Sequence, residues 1–433
     1  MPLTLVLGPA NSAKAGEVLG AYAEAAPRGA LLVVPTAADA EHYSRELAEQ
    51  GCVLRSVLTF TGLAERIAQA TGYSATRLTG LARQRVLRRA IGRSELRGLA
   101  GVADTLGFAA AAGHLISELE RSLITPQRFA AALRTWGESD PGRAAYARDV
   151  AAVYLGYARE LELLGRVDGE LFAWRALDAL RLTPASWGQR PVFFYGFDDL
   201  TALERDAVET LARAVGAEVM VSLNFEPGKV ATAARAELVA ELEPLASRVV
   251  ELPAREDFYA PAARGALHHL ERTVFEARVE EPVDPGPAVR LLEAAGDLAE
   301  AELVAGEVLA LLGSGVLAEE IAVVFRTLGA SEPAILRTFA RYGIPVAVRR
   351  ALPFAHTALG RGLLALARCA LGEGGAQDLL DYLRTPGALR ALHVADRLEL
   401  AVRCRGVSSL AEARALVDLT LGEIDAVAAA SDP

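Results

Sequence analysis

Leu3-Thr-Leu-Val-Leu-Gly-Pro-Ala-Asn-Ser-Ala-Lys-Ala15 decides how the rest of the chain is read. Leu3 to Leu7 is an apolar run of strand type, Gly8 to Ala13 a loop, and Glu17 to Ala26 a helical stretch. Strand, glycine-bearing loop and helix form the context in which the Walker A pattern G-x-x-x-x-G-K-[ST] carries meaning. Lys14 falls on the lysine of that pattern, and it is one of only two lysines in 433 residues, the other being Lys229. The match is broken twice, because Ala13 replaces the second glycine and Ala15 the hydroxyl residue. The first loss is tolerable if the local dihedrals stay in the basin open to L-residues. The second removes a ligand for the Mg²⁺ that bridges the phosphates. Gly8, Asn11, Ser12 and Lys14 are therefore expected to form a degenerate nucleotide site. It could hold phosphate on loop amides, lysine and helix N-terminus, yet hydrolyse ATP poorly or not at all. A plain strand-to-helix turn with a surface lysine fits the same residues.

At this length the chain has room for two or three domains with their own cores. Hydrophobic residues make up 52% but fall in amphipathic periods, so no membrane-spanning segment is expected. The N-terminus lacks the basic leader of a signal peptide. Cys52, Cys369 and Cys404 are far apart without metal-ligand spacing, which predicts a reduced, cytoplasmic protein. A net charge of −10 excludes a uniformly basic surface but not a local basic patch for nucleic acid.

Further strands are predicted at Ala30–Val34 and Val57–Phe60, each leading into a helix, and again at Pro191–Tyr195 and Ala217–Ser222. Apolar strands separated by helices predict an α/β fold with a parallel, doubly wound sheet. From about Thr76 to Leu182 the periodicity is almost purely helical, which predicts an insertion within that domain. Leu252 to Ala277, with His268 and His269, reads as irregular, and Glu280 to Pro287 as a linker. Strands at Val289–Leu292, Ile321–Phe325 and Ile344–Val348 then predict a second α/β domain. The domain layout is thus 1–75 plus 186–280, an insertion at 76–185, a second sheet domain begun at 288–355, and a helical segment at 356–433. Ala428 to Pro433 stops without a closing strand, so the chain is expected to be part of something longer.

Several segments line up in one order: Gly8–Ala15, Val34-Pro-Thr36, Leu58-Thr-Phe60, Tyr195-Gly-Phe-Asp-Asp-Leu-Thr201, Asp297-Leu-Ala-Glu-Ala-Glu302 and Ile321-Ala-Val-Val-Phe-Arg326. This order resembles the superfamily 1, UvrD-like helicase core. More closely, it is similar to the inactivated helicase half of the B subunit of AddAB-type helicase–nucleases. Order and spacing carry the resemblance over nearly the whole chain. It implies RecA-like, P-loop NTPase domains. In active relatives a strand ends Asp-Glu-x-Gln-Asp, its first two carboxylates serving Mg²⁺ and the attacking water. Aligned on Phe197, those positions here are Tyr195 and Gly196, and Asp198 and Asp199 lie past the turn.

The resemblance implies further roles, each with an ordinary alternative. Arg326 matches an arginine that reaches the γ-phosphate, or it is an ion-pair partner. Thr36, Thr59 and Phe60 match strand ends that contact single-stranded DNA, where an aromatic ring can stack on a base. A core role fits Phe60 as well. Glu300 and Glu302 fit a solvated helix face. Independently of the resemblance, Arg77, Arg83, Arg85, Arg88, Arg89, Arg93 and Arg97 cluster with one acidic residue, Glu95. Arg85, Arg89 and Arg93 share a helix face and fit phosphate contact, a partner subunit or solvent equally.

No metal site is expected at His268 and His269, and Asp168 and Glu170 read as surface charge. No nuclease signature is present. The family's nuclease, with its metal site and iron–sulfur cluster, lies further C-terminal, so no catalytic residue and no cofactor beyond bound ATP is expected here. The expected role is a non-motor region of a DNA repair and recombination helicase–nuclease. It would bind single- or double-stranded DNA beside an active partner subunit, with no membrane contact. The rivals are a nucleotide-binding switch, a weak DNA-dependent ATPase or helicase, and a protein scaffold without DNA contact.

Overall fold

Runs of four to six apolar residues become the centre of a parallel sheet because both of its faces are covered by helices. The computed structural model describes residues 3–52, 56–138, 140–277, 281–327, 329–348, 352–388 and 392–418. It separates into two units, Met1–Arg290 and Leu291–Pro433. Glu280, expected in the linker, and Ala428 to Pro433 lie outside the described residues.

In the first unit, β1 (Leu3–Gly8) leads through the glycine-bearing loop into α1 (Lys14–Ala25). Next come β2 (Leu31–Val34), α2 (Ala37–Glu49), β3 (Val57–Thr59) and α3 (Phe60–Thr71). A short β4 (Thr76–Arg77) opens a run of helices: α4 (Gly80–Arg93), α5 (Leu106–Arg121), α6 (Pro126–Gly137) and α7 (Pro141–Leu164). After β5 (Arg166–Val167) follow α8 (Gly169–Leu182), β6 (Val192–Phe194), α9 (Ala202–Glu209), β7 (Val219–Asn224), α10 (Ala236–Leu242), β8 (Arg248–Glu251) and α11 (Arg264–Thr273).

Among the described residues the main sheet has six strands in the order β3-β2-β6-β7-β1-β8, and every ladder is parallel. Leu5 pairs with Val221 on one side and Val249 on the other. Side chains alternate between faces. Leu31 and Val33 join one core with Leu5, Phe194, α3, α8 and α9. Leu32 and Val34 join the other with Val18, Tyr22 and Leu47. Each fully buried side chain of this kind contributes about 1.5–3 kcal/mol. Thr36 and Thr201 cap α2 and α9 with reciprocal boxes through Asp39 and Glu204, fixing where the chain turns after β2 and β6.

The helices α4 to α7 form their own core around Leu87, Ile91, Ile116, Tyr154 and Tyr157. A two-stranded ladder, Thr76 with Arg166 and Arg77 with Val167, closes that insertion at its root. The helix α8, placed in the insertion by its periodicity, instead buries Ala176, Leu177 and Leu180 in the sheet's core. Elements without a counterpart in the sequence pattern include β8, a polar edge strand, the short β4 and β5 within the helical stretch, and α11, within the stretch that reads as irregular.

In the second unit α12 (Asp297–Gly313) packs on α13 (Glu332–Arg341), and α14 (Ala358–Leu371), α15 (Ala376–Leu383) and α16 (Leu392–Cys404) follow. The strands expected at Val289–Leu292, Ile321–Phe325 and Ile344–Val348 do not form among the described residues. Ile321, Phe325 and Ile344 pack on the α12–α13 core, whereas Leu291 is 93% and Val324 88% exposed. Apolar runs become strands only where a neighbouring strand takes their N–H and C=O groups, and no such neighbour is described here.

Candidate functional site

The loop after β1 lies at the C-terminal edge of the sheet, where open α/β folds place their ligands. Gly8 is required there, because a Cβ would come within 2.6 Å of Ser12 Oγ and 2.8 Å of the Leu252 carbonyl oxygen. Ala13 has φ 63 and ψ 25, so the residue that replaces glycine keeps glycine's left-handed conformation. That corrects the condition set by the sequence, since an L-residue held there is strained by about 1–2 kcal/mol.

Lys14 turns inward, with only 8% of its surface exposed. Its ammonium donates to the Gly8 carbonyl at 2.9 Å, to Ser12 Oγ at 3.0 Å and to the Pro9 carbonyl. Burial pulls its pKa down from 10.5 to about 8, with Glu271 opposing. The surface-lysine alternative is therefore excluded. From α11, Glu271 reaches over the loop: its carboxylate accepts from the Asn11 amide at 3.4 Å and from Asn11 Nδ2 at 2.9 Å. Tyr259 also donates to it. Burial pushes the Glu271 carboxyl up, but the hydrogen bonds from Tyr259 and Asn11 outweigh it and the net shift is downward. Ser12 donates to the Pro9 carbonyl at 2.8 Å. Of the loop residues, Ser12 and Lys14 thus serve the loop itself and Asn11 serves α11. The sequence carries no cue for Glu271 or Tyr259, since the stretch that holds them has no motif.

A cavity of about 340 Å³ opens in front of the loop, lined by Lys14, Ala15, Tyr195, Gly196, Asp198, Ser222 and Asn224 among others. Tyr195 directly follows the end of β6, its amide donating to the Val33 carbonyl, and its ring meets Tyr43 edge-on at 5.4 Å. Gly196 has φ 82 and turns the chain. Asp198 lies past that turn and is held by Arg235 at 3.0 Å, while Asp199 accepts from the Leu200 amide. No carboxylate stands at the last residues of β6 or in the position of Tyr195.

Thr59 ends β3 and pairs with Val34, the last residue of β2, while Thr36 caps α2 two residues beyond Val34 on the same sheet edge. The Thr36 hydroxyl is engaged in its helix cap with Asp39. Phe60 packs against the sheet's core while also lining, with Thr59, Glu170 and Arg121, a second cavity of about 280 Å³. On α4, Arg85 is exposed, whereas Arg89 (at 3.0 Å) and Arg93 both pair with the buried Glu160. Arg326 lies on an exposed bend of the second unit.

Asp168 corrects the reading of it as surface charge. It is fully buried and caps α8 through the Leu171 amide at 3.1 Å. Cys369 and Cys404 are free thiols, and no helix among the described residues is long and apolar enough to cross a membrane.

A parallel six-stranded sheet with a glycine-bearing loop between its first strand and first helix puts the protein in the α/β class, an arrangement consistent with a P-loop-like first domain. The chain belongs to the AddB N-terminal family, whose profile, described as ADDB, N-terminal, matches residues 6–257. It is 30% identical over 389 residues to the ATP-dependent helicase/deoxyribonuclease B subunit of Desulforudis audaxviator, covering 82% of this chain and 32% of that protein. To the protein of the same name from Pelotomaculum thermopropionicum it is 28% identical over 380 residues, covering 82% and 32%. The chain thus spans about a third of the length of the curated relatives it matches.

Proposed function

We propose that this chain is the non-motor, UvrD-like region of a helicase–nuclease subunit that acts in double-strand-break repair and recombination. It holds DNA along the C-terminal edge of its sheet while a partner subunit translocates. The observation that carries this reading is the closed loop. Lys14 satisfies its own loop carbonyls, and Tyr195 and Gly196 stand where a motor needs carboxylates. Ala15 offers no oxygen to Mg²⁺. DNA contact rests on the placement of Thr59 and Phe60 beside an open cavity and on the exposed Arg85 of α4.

Fluorescence anisotropy of a labelled single strand over a salt series, run beside an ATP turnover assay, tests the proposal. Saturable binding that weakens steeply with salt, with turnover at background, is the expected result. Mg²⁺-dependent turnover stimulated by DNA and abolished by Lys14→Ala would overturn it. A nucleotide-holding switch is the second reading, favoured by the cavity in front of Lys14. It requires tight ATP binding without hydrolysis.

A further inference from the structure

Three carboxylates meet where α5, α7 and α8 come together. Glu120 lies in the last turn of α5, Asp168 caps α8, and Glu170 lies in the first turn of α8. One oxygen from each lies within 4.8 Å of the other two. Asp168 is fully buried and Glu120 only 3% exposed. Asp168 accepts from Tyr157 at 2.8 Å and from the Leu171 amide at 3.1 Å, and Arg83 Nε lies 3.6 Å away. Glu170 pairs with Arg121 at 3.1 Å. Glu120 is treated differently. Its Oε2 is buried and has no hydrogen-bond partner among the described residues.

Arg121 is shared between Glu170 and Glu118 and Arg83 faces Asp168, so four carboxylates against two guanidinium groups leave two negative charges over, beside the buried Glu120 and Asp168. An uncompensated buried charge is costly. Burial, with Asp168 and Glu170 alongside, pushes the Glu120 carboxyl up to about 10, so without an ion it carries a proton, which serves one oxygen and leaves the other without a donor. A cation answers both the charge and the unpartnered oxygen. Ca²⁺ bonds carboxylate oxygens at about 2.3–2.6 Å, so three oxygens up to about 4.5 Å apart can share one ion, and at the wider spacing allowed here a small inward shift of the side chains suffices. A route also exists, because Glu170 lines the cavity of about 280 Å³ beside Thr59 and Phe60.

We propose that Glu120, Asp168 and Glu170 bind one divalent cation of the hard, oxygen-preferring class, of Ca²⁺ or Mn²⁺ size. The ion ties α5 of the insertion to α8 of the sheet's core.

The test uses the whole chain stripped of metal with a chelator. Calorimetric titration with Ca²⁺, Mn²⁺ electron paramagnetic resonance and thermal melts are compared for the wild type, Glu120→Gln and Glu170→Gln. The expected result is uptake of one ion per chain, with a melting temperature that rises to saturation. Each variant should weaken uptake by about tenfold or more. Should Glu120→Gln fail to fold, Glu170→Gln, altered at the cavity's mouth, decides alone. Absence of saturable uptake by the wild type overturns the proposal, as does uptake unchanged in Glu170→Gln. A wild type indifferent to metal beside a Glu120→Gln chain of equal or higher stability would identify a shared proton instead.

Discussion

The Lys14 ammonium donates 2.9 Å to the carbonyl of Gly8, six residues earlier in its own loop. A phosphate entering here would have to compete with the loop for its lysine. The side chain therefore acts first as a clamp. Lys14→Ala removes the donor from two carbonyls and Ser12 Oγ and should cost about 1–3 kcal/mol of stability. Urea unfolding would show that loss, whereas ATP turnover should stay at background in both proteins. A variant as stable as the wild type would mean that the clamp is idle.

The same burial gives a pH dependence of definite sign. Lys14 titrates at 10.5 in the unfolded chain and at about 8 in the fold. Between those values the unfolded state holds more protons, so this residue's contribution to stability rises with pH. Below about pH 8 the ammonium is charged in both states and the cost of burying it is constant. The stability of the wild type relative to Lys14→Ala should therefore be flat from about pH 6 to 8 and climb toward pH 10. Denaturant midpoints of the two proteins across that range would reveal it, and a relative decline above pH 8 would contradict the buried lysine.

Ala13→Gly restores the residue that the left-handed backbone prefers. It should relieve about 1–2 kcal/mol of local strain against about 0.4–1 kcal/mol of added freedom in the unfolded chain. A net gain of about 0–1.6 kcal/mol follows, centred near 0.8 kcal/mol and measurable as a higher urea midpoint. A loss on this substitution would show that Ala13 is not held at positive φ.

What the sequence discloses follows the range of each interaction. The strands β1, β2, β6 and β7 are legible because strands buried on both faces read as unbroken apolar runs. The edge strand β8 is not, since Arg248 and Glu251 interrupt such a run. Ile321–Phe325 has the right composition and no described ladder partner, which composition does not reveal. The loop is evident from local pattern, but not the direction of Lys14, because a clamp and a phosphate ligand call for the same residue. Asp168 misleads for a similar reason. Its partners Tyr157 and Arg83 stand on other helices, and its own flanking residues carry no sign of them.

The arginines of α4 divide by partner, and so should their effects. Glu160 on α7 is 4% exposed and takes both Arg89 and Arg93, so those two neutralise a buried charge and fasten α4 to α7. Arg93→Ala should consequently cost stability before it costs DNA affinity, since removing a partner strands the carboxylate. Arg85 is exposed and has no ion-pair partner among the described residues, which leaves its guanidinium free for a phosphate. Arg85→Glu should weaken single-strand binding and lower the salt slope by about 0.7, the value for one fewer phosphate neutralised on a single strand. Its melting temperature should stay close to that of the wild type. Unchanged anisotropy together with failed subunit assembly would transfer this face from DNA to a protein partner, and with it the choice between the DNA-handling and scaffold readings.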